Sequence, residues 1–164
     1  MHFFSMSPTK VYTVRELARL AKVSPTWVSK IVKQFEKENI VEIKKDVNSL
    51  KIKARREQEF TRLKKTLNLN DLYSSGLVDK LAEEYHKPQA IILFGSYARG
   101  EDTESSDVDI AVITDRKQVI ESYTKYENML KRKISLKIIN AKKLTKEFAS
   151  SLANGIVLYG YFEI

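Results

Sequence analysis

Two aspartates one residue apart, Asp107 and Asp109, head the run Val108-Asp109-Ile110-Ala111-Val112-Ile113. Its apolar character and alternation predict a strand. Residues two apart on a strand share a face roughly 6.5 Å apart, so Asp107, Asp109 and Ala111 project one way and Val108, Ile110 and Val112 the other. One face is expected to be exposed and the other buried. Two carboxylates so placed repel each other, and their hard oxygens suit Mg2+; the alternative is a solvated strand start. Upstream, Ala90-Ile91-Ile92-Leu93-Phe94 reads as a buried strand running straight into Gly95-Ser96. Gly95 allows close backbone approach, and Ser96 at a helix start offers a hydroxyl and free amides, a combination that receives phosphates. Arg99 either neutralises phosphate charge or pairs with a loop acid, Glu101 or Asp102.

These groups need a scaffold, and the scaffold predicted is α+β. Residues 55–88 read as helical, with Phe60, Leu63 and Leu67 on one stripe and Leu77, Val78, Leu81 and Tyr85 on a second. Asn68-Leu69-Asn70-Asp71 is the expected break between them. The first helix serves as a spacer or a dimerisation element. The second is expected to pack on the sheet that follows.

Charge is divided unevenly along the chain. Net charge is +8, yet residues 1–65 carry sixteen Lys/Arg against seven Asp/Glu, a net of +9, leaving −1 for the rest. Such a concentration suits a binder of phosphate backbones or a lysine-rich solvated surface. Pattern decides between them. Thr13-Val14-Arg15-Glu16 forms a capping box, in which the Glu16 side chain reaches back to the cap. A helix follows with Val14, Leu17, Leu20 and Ala21 on one face, breaking near Lys22-Val23. Ser24 and Pro25 open a second helix with Val28, Ile31, Val32 and Phe35 as its apolar stripe. Asn39 closes it in a left-handed conformation. Then Val41-Glu42-Ile43-Lys44 and Leu50-Lys51-Ile52-Lys53 alternate across the turn formers Asp46-Val47-Asn48-Ser49, predicting a hairpin with Lys44, Lys45, Lys51 and Lys53 outward.

Helix, turn, helix and basic hairpin in that order resemble the winged helix-turn-helix family. The resemblance implies binding of double-stranded DNA, with Thr26, Trp27, Ser29 and Lys30 nearest the bases in the major groove. Lys33, with Lys37, would lie on phosphates, as would the hairpin lysines Lys44, Lys45 and Lys51. Trp27 is equally readable as a core or interface residue, and the whole segment as a small basic interaction domain. DNA half-sites favour a homodimer.

The C-terminal half carries a more specific likeness. An apolar strand, Gly95-Ser96, ten residues and then Asp107-x-Asp109 resemble the signature of the polymerase-β nucleotidyltransferase superfamily. The run Leu93-Phe94-Gly95-Ser96-Tyr97-Ala98-Arg99-Gly100 is similar to its minimal nucleotidyltransferase branch, as is Asn154-Gly155-Ile156-Val157-Leu158-Tyr159-Gly160. The likeness extends over residues 71–160 and implies a small domain with a mixed sheet. It implies that Gly95 and Ser96 hold the triphosphate of a nucleotide, ATP above all, while Asp107 and Asp109 hold two Mg2+ that stabilise attack of a hydroxyl on the α-phosphorus and departure of pyrophosphate. The acceptor is a protein or a small molecule, and members of this branch pair with helical HEPN-type partners in toxin–antitoxin modules. The organisation is thus residues 1–54 as a winged helix-turn-helix, 55–70 as a helical connector and 71–164 as a minimal nucleotidyltransferase domain.

One position departs from that family. Its third carboxylate, counted back from Leu144 along Ile134-Ser135-Leu136-Lys137-Ile138-Ile139, falls on Lys137, with Ser135 on the same face. A lysine there disfavours a second metal and opposes catalysis. The alternative is a shifted register, with Glu127 or Glu121 supplying the acid. Two functions therefore stand open: a Mg2+-dependent nucleotidyltransferase recruited to DNA, and a DNA-binding regulator whose C-terminal domain senses a nucleotide or mediates association without turnover.

Composition excludes other classes. There is no cysteine, hence no disulfide, thiolate zinc site or thiol nucleophile. No apolar run approaches the roughly 18 residues of a membrane span, and Met1-His2-Phe3-Phe4-Ser5-Met6-Ser7-Pro8 lacks the basic start of a secretory signal. A cytoplasmic protein is expected. His86 and His2 stand without a second His or Cys and read as structural, His2 in a frayed start.

Overall fold

The computed structural model describes every residue except 48, 117–121, 141–143 and 164. Asn48 of the expected turn and Glu121, one of the two alternative acids, lie outside the described residues. The chain divides into two compact units, Met1–Lys64 and Lys65–Ile164.

The first unit opens with α1 (His2–Met6), β1 (Tyr12–Thr13), α2 (Val14–Ala21) and α3 (Pro25–Lys37) and closes with β2 (Val41–Asp46) and β3 (Ser49–Ala54). The Thr13 hydroxyl accepts the Glu16 amide at 3.2 Å, and the Ser24 hydroxyl accepts the Trp27 amide at 3.2 Å, so each helix begins at a side-chain cap. The reciprocal arm of the capping box is replaced: Glu16 pairs with Lys10 at 2.8 Å. Lys22 at φ 55° and Asn39 at φ 57° turn the chain out of α2 and α3 in the left-handed region. The buried face of α2 is Leu17 and Ala18; Leu20 and Ala21, expected beside them, are exposed. On α3, Val28 and Val32 are buried and Ile31 and Phe35 half-buried.

The hairpin pairs Ile43 with Ile52 and Lys44 with Lys51, and β3 also pairs with the two residues of β1. Strand alternation puts Lys44, Lys51 and Lys53 on one face, whereas Lys45 shares the face of Ile43. The start of the chain is ordered rather than frayed, because Phe4 is buried and meets Tyr12 edge-on at 5.3 Å.

The long helix α4 (Gln58–Ser75) is continuous where a break was expected at residues 68–71. Asn68 is buried and satisfies its amide by tertiary hydrogen bonds, so it has no need of a turn. The chain turns instead at Gly76, φ 78°, with the Ser75 hydroxyl accepting the Leu77 amide at 3.2 Å. Phe60 and Leu63 of this helix pack in the core of the first unit, and Leu69 and Leu72 in that of the second.

The second unit continues with α5 (Leu77–Glu84), β4 (Ala90–Phe94), α6 (Gly95–Arg99), β5 (Val108–Ile113), α7 (Thr124–Leu130), β6 (Ile134–Ile139), α8 (Lys146–Ala153) and β7 (Ile156–Gly160). The sheet order is β6-β5-β4-β7; β5 and β6 run parallel and the other pairs antiparallel. A mixed sheet in an α+β domain is the result. One face, with Ile91, Leu93, Val108, Ile110 and Val112, packs against α5 and α7 residues. The other, with Ala90, Ile92, Phe94, Ala111 and Ile113, is covered by Phe148 and Leu152 of α8. The Asp109 face is therefore not a broad exposed one: Ala111 is fully buried, and only the strand's beginning stays open. Among the described residues no helix is long and apolar enough to cross a membrane.

Candidate functional site

Strand β4 is buried along its whole length and delivers the chain to Gly95 at φ 75°, a conformation that side chains disfavour. The short helix α6 follows and ends at Gly100, φ 73°. Across the ladder Phe94 pairs with Asp109. This register sets the Asp109 carboxylate directly against the Gly95 backbone, where a Cβ on residue 95 would collide with Oδ2 of Asp109. Gly95, Ser96 and Asp109 are all half-buried at this end of the sheet. The structure thus brings the acid and the Gly-Ser turn together.

Asp107 stands differently. It precedes β5, which starts at Val108, whose amide donates to the Lys133 carbonyl at 2.8 Å. Asp107 is exposed and borders a cleft of about 360 Å3 with Ser105, Ser106, Glu127 and Arg132. Asp109 is the inner acid and Asp107 the outer one. Beside Gly95 a second cleft, about 510 Å3, is lined by Phe94, Arg99, Ser150, Ser151 and Asn154. The α8 residues of that wall were missed in the sequence, although Phe148 and Leu152, four apart, carried the signal of a helix facing a core. Arg99 borders the cleft and donates from Nε to Glu101 at 2.7 Å, which decides its loop partner.

Asp102 is excluded as that partner because it is buried. It accepts from Asn68 Nδ2 at 2.8 Å and from Arg132 at 3.2 Å, and Asn68 also donates to the Tyr97 carbonyl at 2.9 Å. Burial, and then the charge of Asp102, pushes the Tyr97 hydroxyl well above the ordinary phenol range, keeping it a neutral donor to the Asn68 carbonyl. This network ties α4, α6 and the β6 approach to the loop leading into Asp107.

Lys137 lies on the face of Asp109: Ser135 is the register partner of Asp109, and Lys137 that of Ala111. Its ammonium stands over the rings of Phe148 and Phe94, at 5.0 and 5.7 Å from their centroids. Among the described residues no ion pair joins it to Asp107 or Asp109. Glu127, offered as a substitute acid, accepts the Ile134 amide at 3.0 Å and pairs with Lys133 at 3.8 Å. It caps the start of β6 beside Asp107 and does not share the Asp109 face.

In the first unit, Thr26, Trp27, Lys30 and Lys33 are exposed on α3 and Ser29 is half-buried. Trp27, 52% exposed, is not a core residue. On the hairpin Lys44 and Lys45 are exposed and Lys51 half-buried. Lys44 pairs with Glu42 at 3.1 Å and Lys51 reaches Asp46 at 3.9 Å.

The strand, Gly-Ser turn and abutting aspartate occur within a recognised sequence family. Residues 77–163, just over half of the chain, match the family described as Polymerase beta, Nucleotidyltransferase. The chain belongs to this family. Nucleotidyltransferases of this kind generally use a nucleotide substrate and Mg2+. Two relatives from Methanocaldococcus jannaschii bear the names "Putative protein adenylyltransferase MJ1379" and "Putative protein adenylyltransferase MJ0128". They are 58% and 54% identical to this chain over 33 residues, which is 20% of this chain and 33% and 34% of theirs. The chain thus spans about a third of the length of each relative. No solved structure matches.

The donors fit magnesium. Mg2+ takes hard oxygen ligands, commonly one or two carboxylates with waters and substrate phosphates completing the shell. Asp109, set against the turn that would receive those phosphates, and Asp107, exposed two residues before it at the other cleft, are donors of that kind. Among the described residues there is no group of three metal-binding side chains.

Proposed function

We propose that the second unit binds a magnesium nucleotide at Gly95, Ser96, Asp107 and Asp109 and transfers its nucleoside monophosphate, from ATP, to a protein hydroxyl. The observation that carries this reading is the contact of the Asp109 carboxylate with the Gly95 backbone. A carboxylate beside the turn that would receive phosphates supports this reading, because a divalent cation held there would offset both charges. Bound there, Mg2+ would offset charge on the phosphates. Gly95 and Ser96 orient the triphosphate through backbone amides and a hydroxyl. The acceptor oxygen bonds to the α-phosphorus, the bond to the β-phosphate oxygen breaks, and pyrophosphate leaves. The hydroxyl proton goes to Asp107, the exposed acid. The relatives' names favour a protein acceptor, and the family resemblance suggests a separate HEPN-type partner.

A second reading has its own observation. With Ser135 and Lys137 on the Asp109 face of β6, that strand supplies no third carboxylate, and the unit would then hold a nucleotide without turning it over. Incubation with labelled ATP, Mg2+ and the partner protein separates the two. Label transfer by the wild type, lost in Asp107→Ala and Asp109→Ala, establishes the transferase. Absence of transfer by the wild type together with transfer by Lys137→Asp establishes the silent sensor.

The first unit belongs to the same proposal as a winged helix-turn-helix for double-stranded DNA, with α3 entering the major groove and the hairpin lysines on phosphates. The exposed row Thr26, Lys30 and Lys33 on α3, capped at Ser24, supports it. Paired half-sites call for a homodimer. Affinity for duplex DNA is expected to fall with salt by about 0.9 log units per log unit for each phosphate neutralised. Replacing Lys33 and Lys37, the two lysines of α3 placed on phosphates, together by alanine should flatten that slope by about two contacts' worth. Binding indifferent to salt contradicts the groove placement.

A further inference from the structure

The side chain of Lys137 leaves β6 on the same face as Asp109, two residues beyond Ser135. It is exposed, so its charge has not been removed from water. Two rings hold it: Phe94 and Phe148 meet edge-to-face at 5.4 Å and 89°, and the ammonium lies over both. Such contacts fix a cation without neutralising it. Phe94 is itself a wall of the cleft that contains Gly95 and Arg99, and it is the ladder partner of Asp109. The ammonium therefore lies against a ring that walls the cleft beside Gly95. Arg99, which lines this cleft, is engaged by Glu101.

We propose that Lys137 is a phosphate ligand of the bound nucleotide, its ammonium taking the place of one divalent cation; this role rests on the nucleotide-binding reading above. A triphosphate beside Asp109 and Asp107 accumulates negative charge that two metal ions would ordinarily offset. Here β6 supplies a lysine on the Asp109 face where it could have supplied another acid. A lysine ammonium is a compact point charge with three donors, suited to phosphate oxygens. The consequence is a nucleotide site less dependent on divalent metal than its two aspartates suggest.

Calorimetric titration of the full chain with α,β-methylene-ATP, once in MgCl2 and once in EDTA, tests this. The wild type is expected to bind in both, with a loss of no more than about tenfold on removing the metal. Lys137→Met, which keeps an unbranched side chain over the two rings, should bind about tenfold more weakly in magnesium and lose binding in EDTA. Lys137→Arg should restore the wild-type pattern, since it restores the charge. The proposal needs both the metal-free binding and its loss in Lys137→Met; failure of either overturns it. If Lys137→Met matches the wild type while Asp109→Ala binds poorly, the magnesium-nucleotide site stands and only the role of Lys137 falls. If the wild type binds in neither buffer, the nucleotide reading itself falls with it.

Discussion

Replacing Asp102 by alanine is expected to destabilise the second unit by about 3–5 kcal/mol, as is usual when one partner of a buried ion pair is removed. The side chain of Asp102 is fully buried and that of Arg132 is 4% exposed, so neither can turn to water when its partner is lost. Asp102 also accepts from Asn68, and its removal takes an acceptor from that second buried group at a further cost. Asp102→Asn should be nearly as damaging, because the amide keeps the shape but loses the charge that balances the guanidinium. The double change Asp102→Leu with Arg132→Met should recover much of the loss, since a buried pair replaced by apolar groups is often neutral. Denaturant unfolding of the full chain, followed by a probe in the second unit, reads all three. A small effect from Asp102→Ala alone would mean that the pair is not shielded as described.

The second large effect is expected at Gly95. Alanine there meets two obstacles at once: a φ of 75° that side chains disfavour and the Asp109 carboxylate in the space a Cβ needs. Either the turn or Asp109 must move, and a displacement of about 1 Å is enough to cost on the order of a hundredfold in a positioned reaction. Nucleotidyl transfer, or nucleotide affinity if the unit does not turn over, should therefore fall about a hundredfold in Gly95→Ala. Gly76, also at positive φ, has open space where a Cβ would project, with nothing within 4 Å, and serves as the control. Gly76→Ala carries the same kind of backbone strain but leaves the site intact, so its affinity for nucleotide should stay near that of the wild type. Equal losses in the two variants would show that general strain, not the Gly95–Asp109 contact, is at work.

Much of this site was legible in the residues. An unbroken apolar run into Gly-Ser needs a buried strand and a turn, and Asp109 one strand away is brought back by the antiparallel pairing of β4 with β5. What was not legible depends on partners distant in the chain. The Asp109 face was expected to be open, but α8 covers it through Phe148 and Leu152, and nothing near Ala111 announces that cover. Asp102 and Arg132 look like ordinary surface charges in polar loops; only the fold encloses them together. Asn68 carries a residue type that favours turns, yet its amide is consumed by Tyr97 and Asp102, so local preference gives way to tertiary hydrogen bonding. The two-residue strand β1 is too short to show a period of its own. Lys137 was placed on the correct strand and face, whereas the aromatic pair that holds its ammonium could be found only in three dimensions.

The place of the bound cation is the most direct test. With 15N-labelled protein, a non-hydrolysable ATP analogue and substoichiometric Mn2+, the amide signals of Gly95, Ser96 and Asp109 should broaden first and most. Broadening centred on His86 and Asp115, at the opposite end of β4 and β5, with the Gly95 and Asp109 signals unchanged, would contradict the assignment of the site.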